Sequence, residues 1–405
     1  MAVVFNPLTP ENRLDPYPHY HELRREDPVQ KHPLVPIFVL TRYTDVAAVL
    51  RDPRFSVDRT RSKLFQSPLS PMRLFGERFR AMFLGMMLMR DPPDHTRLRN
   101  LVNKAFTPRV VEKLLPRINQ IADALLDAAL ERDDFDLVRD FAFPLPVTVI
   151  AEMLGVSSGD RADFLRWSQA LVALTEPTAI LTAEAPAAAE SCLTEMRGFF
   201  DGVVAERRAR PREDLVSALV RAEVEGDRLS ADELFAMCVL ILVAGHETTT
   251  NLIGNAVLAL LRHPDQRFRL AADPGLMRSA VEEFLRFDSV VQATARIALE
   301  DVSIGGVAIP KGEGALLVIG AANRDPAQFA DPDRLDVART DNRHLAFGQG
   351  AHFCLGAGLA RAEAQLALAT LLARAPAFDG DASQPDWKPT TVLRGLRSLP
   401  LSLAG

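Results

Sequence analysis

Cysteine is scarce in this sequence, and its scarcity limits the chemistry that sulfur could perform. The 405 residues include three cysteines, Cys192, Cys238 and Cys354, and none belongs to a C-x-x-C pair. A disulfide framework is therefore excluded as the basis of the fold, and a reducing compartment fits best. Any chemistry of sulfur in this chain must use single cysteines.

The sequence also lacks an excess of positive charge and a long apolar segment. Lys and Arg number 47 against 53 Asp and Glu, so the formal net charge is -6. Without a global basic field, a nucleic-acid partner is not expected. The N-terminal residues show no basic segment followed by an apolar one, and the apolar run 234–245 is too short to span a bilayer. We expect a cytoplasmic protein without a membrane anchor.

What the sequence does contain is strong helical periodicity. Apolar spacing predicts helices through most of 94–222 and a final amphipathic helix over 356–374. Ser230 and Glu233 form a capping box, which predicts the start of a helix that continues until Pro264 ends it. A helix of this length would be about 50 Å long.

Strand signals are confined to two β-rich regions, 30–60 and 290–322. The segments 53–90 and 323–353 show no clear periodicity and are predicted to be irregular. Helices and strands do not alternate regularly, which argues against a doubly wound sheet. The predicted fold class is therefore mainly α with a small β-rich side (α+β).

The segment FGQGAHFCLGAGLARAE, residues 347–363, places Cys354 directly before a predicted helix. The N–H groups and dipole of a helix N-terminus favour a thiolate, and the glycines around Cys354 let a flat ligand approach the backbone. A thiolate that binds haem iron promotes cleavage of the O–O bond. The alternatives are an inert buried cysteine, or a zinc or thiol enzyme that uses Cys354, for which His352 would supply a second zinc ligand.

The middle of the long helix, VAGHETTTN at 243–251, carries polar groups inside an otherwise apolar sequence. Glu247 and Thr248 place an acid beside an alcohol, a pair that can relay protons to a bound ligand. Burying such groups without partners is costly, so a functional role is favoured. The alternative is a solvated helix face.

Two further pairs carry weaker signals. Glu283 and Arg286, in EEFLRF, are three residues apart and can form an ion pair on one helix face; the alternative is an exposed pair of little energetic value. His95 and Arg99 lie one turn apart and could hold an anionic group such as a propionate. The alternative for this pair is a solvated helix start.

Together these motifs resemble the cytochrome P-450 family of haem-thiolate monooxygenases, in its soluble bacterial branch. The similarity extends from about residue 14 to the C-terminus. The family's cysteine signature, F-x-x-G-x-x-x-C-x-G, its oxygen-activation motif, [AG]-G-x-[DE]-T-[TS], and its E-x-x-R motif occur in the family's order. The matching residues are Phe347, Gly350, Cys354 and Gly356; Ala244, Gly245, Glu247, Thr248 and Thr249; and Glu283 and Arg286, with Arg334 as a third member of the ion triad.

The resemblance implies the triangular-prism fold of that family, with residues 1–405 as a single domain. It implies haem b (iron protoporphyrin IX) as the cofactor, with Cys354 as the axial ligand of the iron. Glu247 and Thr248 would deliver protons during oxygen activation. The remaining residues expected to bind haem are Phe347, Ala244 and Gly356, together with His95, Arg99, Arg296 and His352 at the propionates.

The implied function is insertion of one oxygen atom of O2 into a mostly apolar small molecule of secondary metabolism, by hydroxylation or epoxidation. Such a substrate could be a fatty acid, a terpenoid, a steroid or a macrolide-like compound. Electrons would come from an external ferredoxin and its reductase, with Arg97, Lys104 and Arg361 as a basic docking surface. The segments expected to contact the substrate are 75–90, 168–190, 288–297 and 392–396. Two alternatives remain, a peroxide-driven peroxygenase and a non-catalytic haem-binding protein.

Overall fold

The computed structural model describes residues 3–68, 70–132, 134–173, 184–224 and 226–403. The chain divides into two compact units. Unit 1 comprises 1–55, 114–146 and 248–405, and unit 2 comprises 56–113 and 147–247. The assignment of the whole chain to one domain stays a prediction, and each unit is described by itself.

Helices account for most of the described chain, as the apolar periodicity predicts. In chain order they are α1 Pro10–Leu14, α2 Tyr17–Glu26, α3 Tyr43–Arg51, α4 Lys63–Gln66, α5 Glu77–Gly85, α6 Asp94–Ala105, α7 Pro108–Leu130, α8 Pro144–Met153, α9 Arg161–Ala173, α10 Glu184–Ala209, α11 Leu215–Arg221, α12 Ala231–Arg262, α13 Pro264–Ala272, α14 Met277–Phe287, α15 Ile319–Ala322 and α16 Ala357–Arg374.

The long helix α12 begins and ends where the sequence predicts. The Ser230 backbone N–H donates to Glu233 Oε2 at 2.8 Å, and the Glu233 N–H donates to Ser230 Oγ at 3.2 Å, so the capping box is confirmed. Residue 262 is the last in the helix because Pro264 cannot continue it. By length and composition α12 could cross a membrane, but 72% of its most apolar stretch is buried within the described structure.

The strands are short. In chain order they are β1 Val29–Lys31, β2 Ile37–Leu40, β3 Phe55–Ser56, β4 Glu223–Val224, β5 Asp227–Arg228, β6 Ala293–Ala298, β7 Val302–Ile304, β8 Val307–Ile309, β9 Gly314–Val318, β10 Asp386–Trp387 and β11 Leu396–Ser398. The largest sheet among them has five strands in the order β1-β2-β9-β6-β3. Strands from both predicted β-rich regions, 30–60 and 290–322, therefore combine in one sheet, whereas β7 and β8 pair with each other in a separate sheet.

Three of the pairings in this sheet, one parallel and two antiparallel, set the register of its unit 1 strands. Strand β2 pairs with β9 in parallel, with Phe38 opposite Ala315, and β9 pairs with β6 antiparallel, with Ala295 opposite Leu316. Strand β1 pairs with β2 antiparallel. The apolar side chains of this sheet pack with those of α3 in a buried cluster that includes Leu40, Val46 and Leu317.

The prediction that the segment 53–90 is irregular was wrong. After β3 it forms short helices, namely α4, α5 and the 3-10 turns Arg59–Arg61, Pro71–Leu74 and Met87–Met89. These helices are too short to produce several turns of apolar periodicity, so the pattern was not visible. The segment 323–353 is irregular as predicted, apart from a 3-10 turn at Gly350–His352.

Candidate functional site

The cysteine segment of unit 1 is a tight loop that ends at the N-terminus of α16. Gly348 and Gly350 have positive φ angles of 68° and 71°, and the Cys354 N–H donates to the Phe347 carbonyl at 2.9 Å. A methyl group at Gly350 would lie 2.8 Å from the carbonyl oxygen of Leu50, so the loop requires glycine there. The loop therefore fixes the backbone around the cysteine.

Cys354 is the accessible cysteine of the chain. Its side chain is exposed, whereas Cys192 and Cys238 are buried, and burial raises the pKa of Cys238 to about 12. Gly356 caps the N-terminus of α16 two residues after Cys354, so the sulfur stands at the positive end of that helix. An accessible thiol in this environment is suited to ligate a metal as the thiolate.

An ion pair supports the cysteine loop from α14. Arg361 on α16 stands over the ring of Phe347, with its guanidinium carbon 4.5 Å from the ring centroid. It also donates to both carboxylate oxygens of Glu282, at 2.6 and 2.8 Å, and His344 lies 3.0 Å from the same carboxylate. Burial by itself would raise the pKa of Glu282, but these hydrogen bonds and charges lower it to about 2.

The E-x-x-R pair forms a fully buried ion pair. Arg286 donates to both carboxylate oxygens of Glu283 at 2.8 Å, and the exposed fraction of each side chain is 0%. Arg286 also donates to the carbonyls of Asn323 and Pro332, at 3.0 and 2.7 Å. Burial of this depth excludes the alternative of an exposed pair, and it ties α14 to the irregular segment that leads to Cys354.

The third member of the triad was predicted wrongly. The side chain that reaches Glu283 belongs to Arg339, whose Nε lies 3.1 and 3.2 Å from the two carboxylate oxygens. Arg334 contributes its backbone carbonyl, which accepts from Arg286 at 3.3 Å and from Arg339 at 3.2 Å. The local P-D-R pattern pointed to Arg334, but the chain turns after it and brings Arg339 back to α14.

The centre of α12 combines accessible and buried positions. Ala244 is exposed and Thr248, one turn later, is half-buried, whereas Glu247 is buried with 4% of its surface exposed. A methyl group at Gly245 would lie 2.7 Å from Ile150 Cδ1 in unit 2, so the glycine is required for helix packing. The acid and the alcohol thus stand next to each other at a point where the helix has an accessible face.

His246 holds the same turn of α12 within unit 2. Its Nε2 lies 2.7 Å from Ser168 Oγ on α9, and its Nδ1 lies 2.6 Å from the Leu242 carbonyl. Both ring nitrogens therefore have partners in a buried position. The sequence analysis did not assign a role to His246, which positions α12 against α9.

The four predicted propionate-binding residues occupy both units. In unit 2, α6 carries His95, which is buried, and Arg99, which is half-buried. Burial and the charge of Arg99 lower the pKa of His95. In unit 1, Arg296 on β6 is buried, with Nη1 donating to the Ala295 carbonyl at 3.0 Å, and His352 is half-buried in the cysteine loop.

Among the described residues, no group of three or more His, Cys, Asp or Glu side chains could hold a metal ion. A zinc site built on Cys354 and His352 therefore finds no further protein ligands in that part of the chain. A single accessible thiol fits a metal whose other ligands belong to a cofactor.

Comparison with known proteins decides the family. A family model described as "Cytochrome P450" matches residues 34–273 and 274–385. Cytochrome P450 107B1 of Saccharopolyspora erythraea is 48% identical over 387 residues, which cover 93% of this chain and 92% of the relative. The chain belongs to the cytochrome P450 family. Vitamin D(3) 25-hydroxylase of Pseudonocardia autotrophica is 45% identical over 396 residues, 96% of this chain and 94% of that protein.

A solved cytochrome P450 structure agrees over the whole chain. It is the bacillaene polyketide synthase cytochrome P450 PksS of Bacillus subtilis 168, with a TM-score of 0.90, 38% identity, and coverage of 99% of this chain and 100% of that one. The α+β fold is therefore that of a cytochrome P450, and the protein is a haem monooxygenase of bacterial type. Its cofactor is iron protoporphyrin IX. The accessible thiol, the glycine-dependent loop and the helix N-terminus fit this group.

One acidic residue of this cytochrome P450 was missed in the sequence. Glu363 on α16 is fully buried, neither of its carboxyl oxygens has a hydrogen-bond partner among the described residues, and burial raises its pKa to about 8, although the nearby side chain of Thr249 opposes the shift. Its neighbours on the same helix face, Leu359 and Ala367, are buried apolar residues. An acid four residues from each of two apolar positions is the signal that could have identified it.

Proposed function

We propose that Cys354 is the axial ligand of the haem iron. Its accessibility, its position at the N-terminus of α16 and the support of Phe347 by Arg361 favour this role. We propose Phe347, Gly356, Arg296 and His352 as the haem-binding residues of unit 1. For unit 2 we propose His95, Arg99 and Ala244.

Glu247 and Thr248 are proposed as the residues that move protons. The bound haem supplies the activation of O2 and the transfer of one oxygen atom to carbon, while the other leaves as water at the expense of two electrons and two protons. The hydroxyl of Thr248 is half-buried and can hold a proton donor in place, and the buried carboxyl of Glu247 can supply the next proton.

The substrate is proposed to be mostly apolar. In unit 2, the rings of Phe75 and Phe79 stack with centroids 4.3 Å apart, and those of Phe79 and Phe83 at 5.9 Å. The cations of this segment, Arg78, Arg80 and Arg90, are exposed, and Arg78 donates to Thr194. The buried methionines that accompany the rings are Met82, Met86, Met87 and Met89. Adaptable apolar walls of this kind suit bulky ligands.

The unit 1 segment 288–297 supports the same substrate class. Its amide side chain, Gln292, is buried, accepts from the Tyr20 hydroxyl at 2.9 Å and donates to the Ser289 carbonyl at 2.6 Å. Those bonds occupy its amide, while Val290 and Ala293 are apolar. Of the segment 168–190, residues 174–183 lie outside the described residues. The similarity to a vitamin D(3) hydroxylase and to a polyketide synthase cytochrome P450 also favours a steroid-like or polyketide-like substrate.

Electrons are proposed to come from an external ferredoxin and its reductase in the cytoplasm. Of the three cations proposed for docking, Arg97 pairs with Asp227 and Glu233, and Arg361 pairs with Glu282. Internal pairing weakens the case for these two as docking charges. Lys104 is exposed and remains a candidate.

The ligand assignment is tested by the carbon monoxide difference spectrum of the reduced protein. We expect the long-wavelength Soret band of thiolate-ligated haem in the wild type and its loss in Cys354→His, because imidazole is a weaker electron donor. Cys238→Ala is the matched control, since that thiol is buried, and it should keep the band. A thiolate band that persists in Cys354→His would reject the assignment.

The proton role is tested with Glu247→Gln and Thr248→Val. Each should keep the thiolate band and ligand binding but lose about 100-fold in product formed with a reductase system, as expected for a lost proton donor. Spin-state titration with steroids, macrolides, fatty acids and polar compounds tests the substrate class. A shift by polar compounds alone would contradict an apolar pocket, and full activity with peroxide and no electron donor would favour a peroxygenase.

A further inference from the structure

A buried hydrogen bond joins the middle of α12 to α9 within unit 2. Ser168 Oγ on α9 lies 2.7 Å from Nε2 of His246 on α12, although the two residues are 78 positions apart in the sequence. The exposed fractions of Ser168 and His246 are 0% and 1%. Because His246 directly precedes Glu247, this bond is made beside the acid proposed to supply a proton.

Both polar side chains interrupt apolar helix faces. The other residues of these faces are buried and apolar, namely Phe164, Trp167 and Leu171 on α9 and Phe235, Val239 and Leu242 on α12. Apolar contacts have little directional preference, whereas a hydrogen bond requires a defined distance and angle between its partners. The pair of Ser168 and His246 therefore specifies how α9 and α12 are aligned.

The second ring nitrogen of His246 fixes the direction of the bond. Nδ1 lies 2.6 Å from the carbonyl oxygen of Leu242, one turn earlier on α12. A carbonyl oxygen can only accept, so Nδ1 carries a proton, and Nε2 of the neutral ring then accepts from the Ser168 hydroxyl. The imidazole is thus held by its own helix on one side and by α9 on the other.

The residues on either side of His246 connect this bond to the acid. A methyl group at Gly245 would lie 2.7 Å from Ile150 Cδ1, so this turn is in close contact with α8. Successive residues of a helix point about 100° apart, so Gly245, His246 and Glu247 face three directions. Contact with α8 through Gly245 and the bond to α9 through His246 together restrict rotation of the turn. They therefore set the direction of the Glu247 carboxyl.

We propose that the hydrogen bond between Ser168 and His246 positions Glu247 for proton transfer and makes the supply of protons depend on the position of α9. This inference rests on the proposed function, in which Glu247 supplies a proton and the segment 168–190, which begins at Ser168, contacts the substrate. Ser168 and His246 are positioning residues, because they act through Glu247. A displacement of α9 would stretch the bond and turn the acid away.

Nitrogen NMR of histidine tests the bond without turnover. Histidine is labelled with the heavy nitrogen isotope in the reduced, carbon monoxide-bound protein, which is diamagnetic. The signals of His246 are assigned by their loss in His246→Asn. We expect a protonated Nδ1 and an unprotonated Nε2 whose signal moves in Ser168→Ala. An Nε2 signal that stays in place in Ser168→Ala would overturn the proposal.

The yield of product per pair of electrons consumed tests the positioning role. Electrons come from a reductase system, and the compound is the steroid, macrolide, fatty acid or polar compound that shifts the spin state most. Ser168→Ala should keep the thiolate band and the affinity for that compound. Its yield should fall about tenfold, less than in Glu247→Gln, because the carboxyl is displaced and not removed. His246→Asn, whose amide is too short to reach Ser168, should show the same loss.

Ser217→Ala is the matched control. Ser217 on α11 is also a serine with 0% of its surface exposed, and its Oγ accepts from the Arg212 N–H at 2.9 Å. The substitution therefore removes an equally buried hydroxyl at a distance from Glu247, and the variant should keep the yield of the wild type. A loss of yield in Ser217→Ala equal to that in Ser168→Ala would overturn the positioning role.

A combined variant separates this inference from the proposed function. If Ser168 acts through Glu247, then Ser168→Ala should cause no further loss of yield in the Glu247→Gln protein. An equal loss in both backgrounds, or full yield in Ser168→Ala, would overturn the inference and leave the proton role of Glu247 intact. Full yield in Glu247→Gln would instead reject that proton role, and this inference with it.

Discussion

Helices α14 and α16 of unit 1 each carry a carboxyl group whose pKa the fold shifts, one half-buried and one fully buried, and the two groups are held in opposite protonation states. Glu282 on α14 accepts from Arg361 and His344, and its pKa is about 2. Glu363 on α16 has no cation beside it, only the neutral side chain of Thr249 nearby, and its pKa is about 8. Burial by itself favours the neutral form of both carboxyl groups. The charge of the neighbouring side chains therefore decides which protonation state is stable.

The difference shows two ways of stabilising the same helix. Arg361 and Glu363 lie two positions apart on α16, so their side chains leave the helix on different faces. On one face a cation keeps Glu282 ionised and braces the ring of Phe347 beside the cysteine loop. On the other face a proton neutralises Glu363 within the apolar core. Removing the cation beside a carboxylate should therefore lower the free energy of unfolding, whereas removing the proton of Glu363 should change how that free energy depends on pH.

The largest effect is expected where a cation serves the most deeply buried acid. Arg286→Met would leave Glu283, which has no exposed surface, with Arg339 as its remaining cation. Breaking a buried ion pair from one side costs about 3–5 kcal/mol because the other charge stays buried. The free energy of unfolding, measured by denaturant titration of the haem protein, should fall by about that amount.

Arg334→Met is the matched control for this experiment. The Arg334 backbone carbonyl, and not its side chain, contacts Arg286 and Arg339, so the variant should stay close to the wild type. Equal losses in Arg286→Met and Arg334→Met would contradict the assignment of Arg339 as the third member of the triad.

The second effect distinguishes the protonated acid by its pH dependence. Free glutamate releases its proton near pH 4.3, whereas Glu363 keeps its proton to about pH 8 in the folded state. The folded state thus binds more protons between these values, and stability falls as pH rises, by up to about 1.4 kcal/mol per pH unit. From pH 6 to pH 8 the wild type should lose about 2–3 kcal/mol relative to Glu363→Gln.

The amide in Glu363→Gln cannot ionise, so its contribution to the free energy of unfolding should not change over this pH range. Glu300→Gln, at an exposed position, is the control and should follow the wild type at both pH values. Parallel pH profiles for the wild type and Glu363→Gln would show that Glu363 is ionised in the folded protein.

Local patterns predicted those parts of the site that depend on neighbours in sequence. The capping box at Ser230, the pair Glu283–Arg286 and the glycine loop before Cys354 are all made by residues a few positions apart, and all three are present. In each case the spacing alone brings the groups together. The fold class followed from the same periodicities.

Contacts between distant segments were not predictable from spacing. Arg339 reaches Glu283 across 56 residues because the irregular segment turns back, and no local pattern marks that turn. Glu363 meets Thr249 only because α16 packs beside α12 within unit 1. Which helices are neighbours depends on how their apolar faces pack, and a single sequence does not show this.

The third effect tests the ionised side of α16. Arg361→Ala would leave Glu282 with His344 and remove the cation from the Phe347 ring. Arg361 is about one-third exposed, so water compensates part of the loss, and we expect the free energy of unfolding to fall by about 1–2 kcal/mol. Haem retention during dilution should fall as well, because the cysteine loop loses its brace.

Arg374→Ala, on the same helix, is the matched control for Arg361→Ala. Arg374 pairs with Asp127 at 2.6 Å, but both side chains are more exposed, so the loss should be below about 1 kcal/mol. If Arg374→Ala destabilised the protein as much as Arg361→Ala, the contact with Phe347 and Glu282 would have no special weight.

The smallest effect is expected from the hydroxyl that faces Glu363. Thr249→Val removes a nearby hydroxyl that lowers the pKa of Glu363, so the pKa should rise further and the fall of stability should begin at higher pH. The change in the free energy of unfolding at pH 8 should be below about 1 kcal/mol. Thr250→Val is the control, because Thr250 Oγ1 is buried without a hydrogen-bond partner among the described residues. Thr250→Val should keep the pH profile of the wild type. If it shifted the profile as much as Thr249→Val does, Thr249 would have no specific effect on the pKa of Glu363.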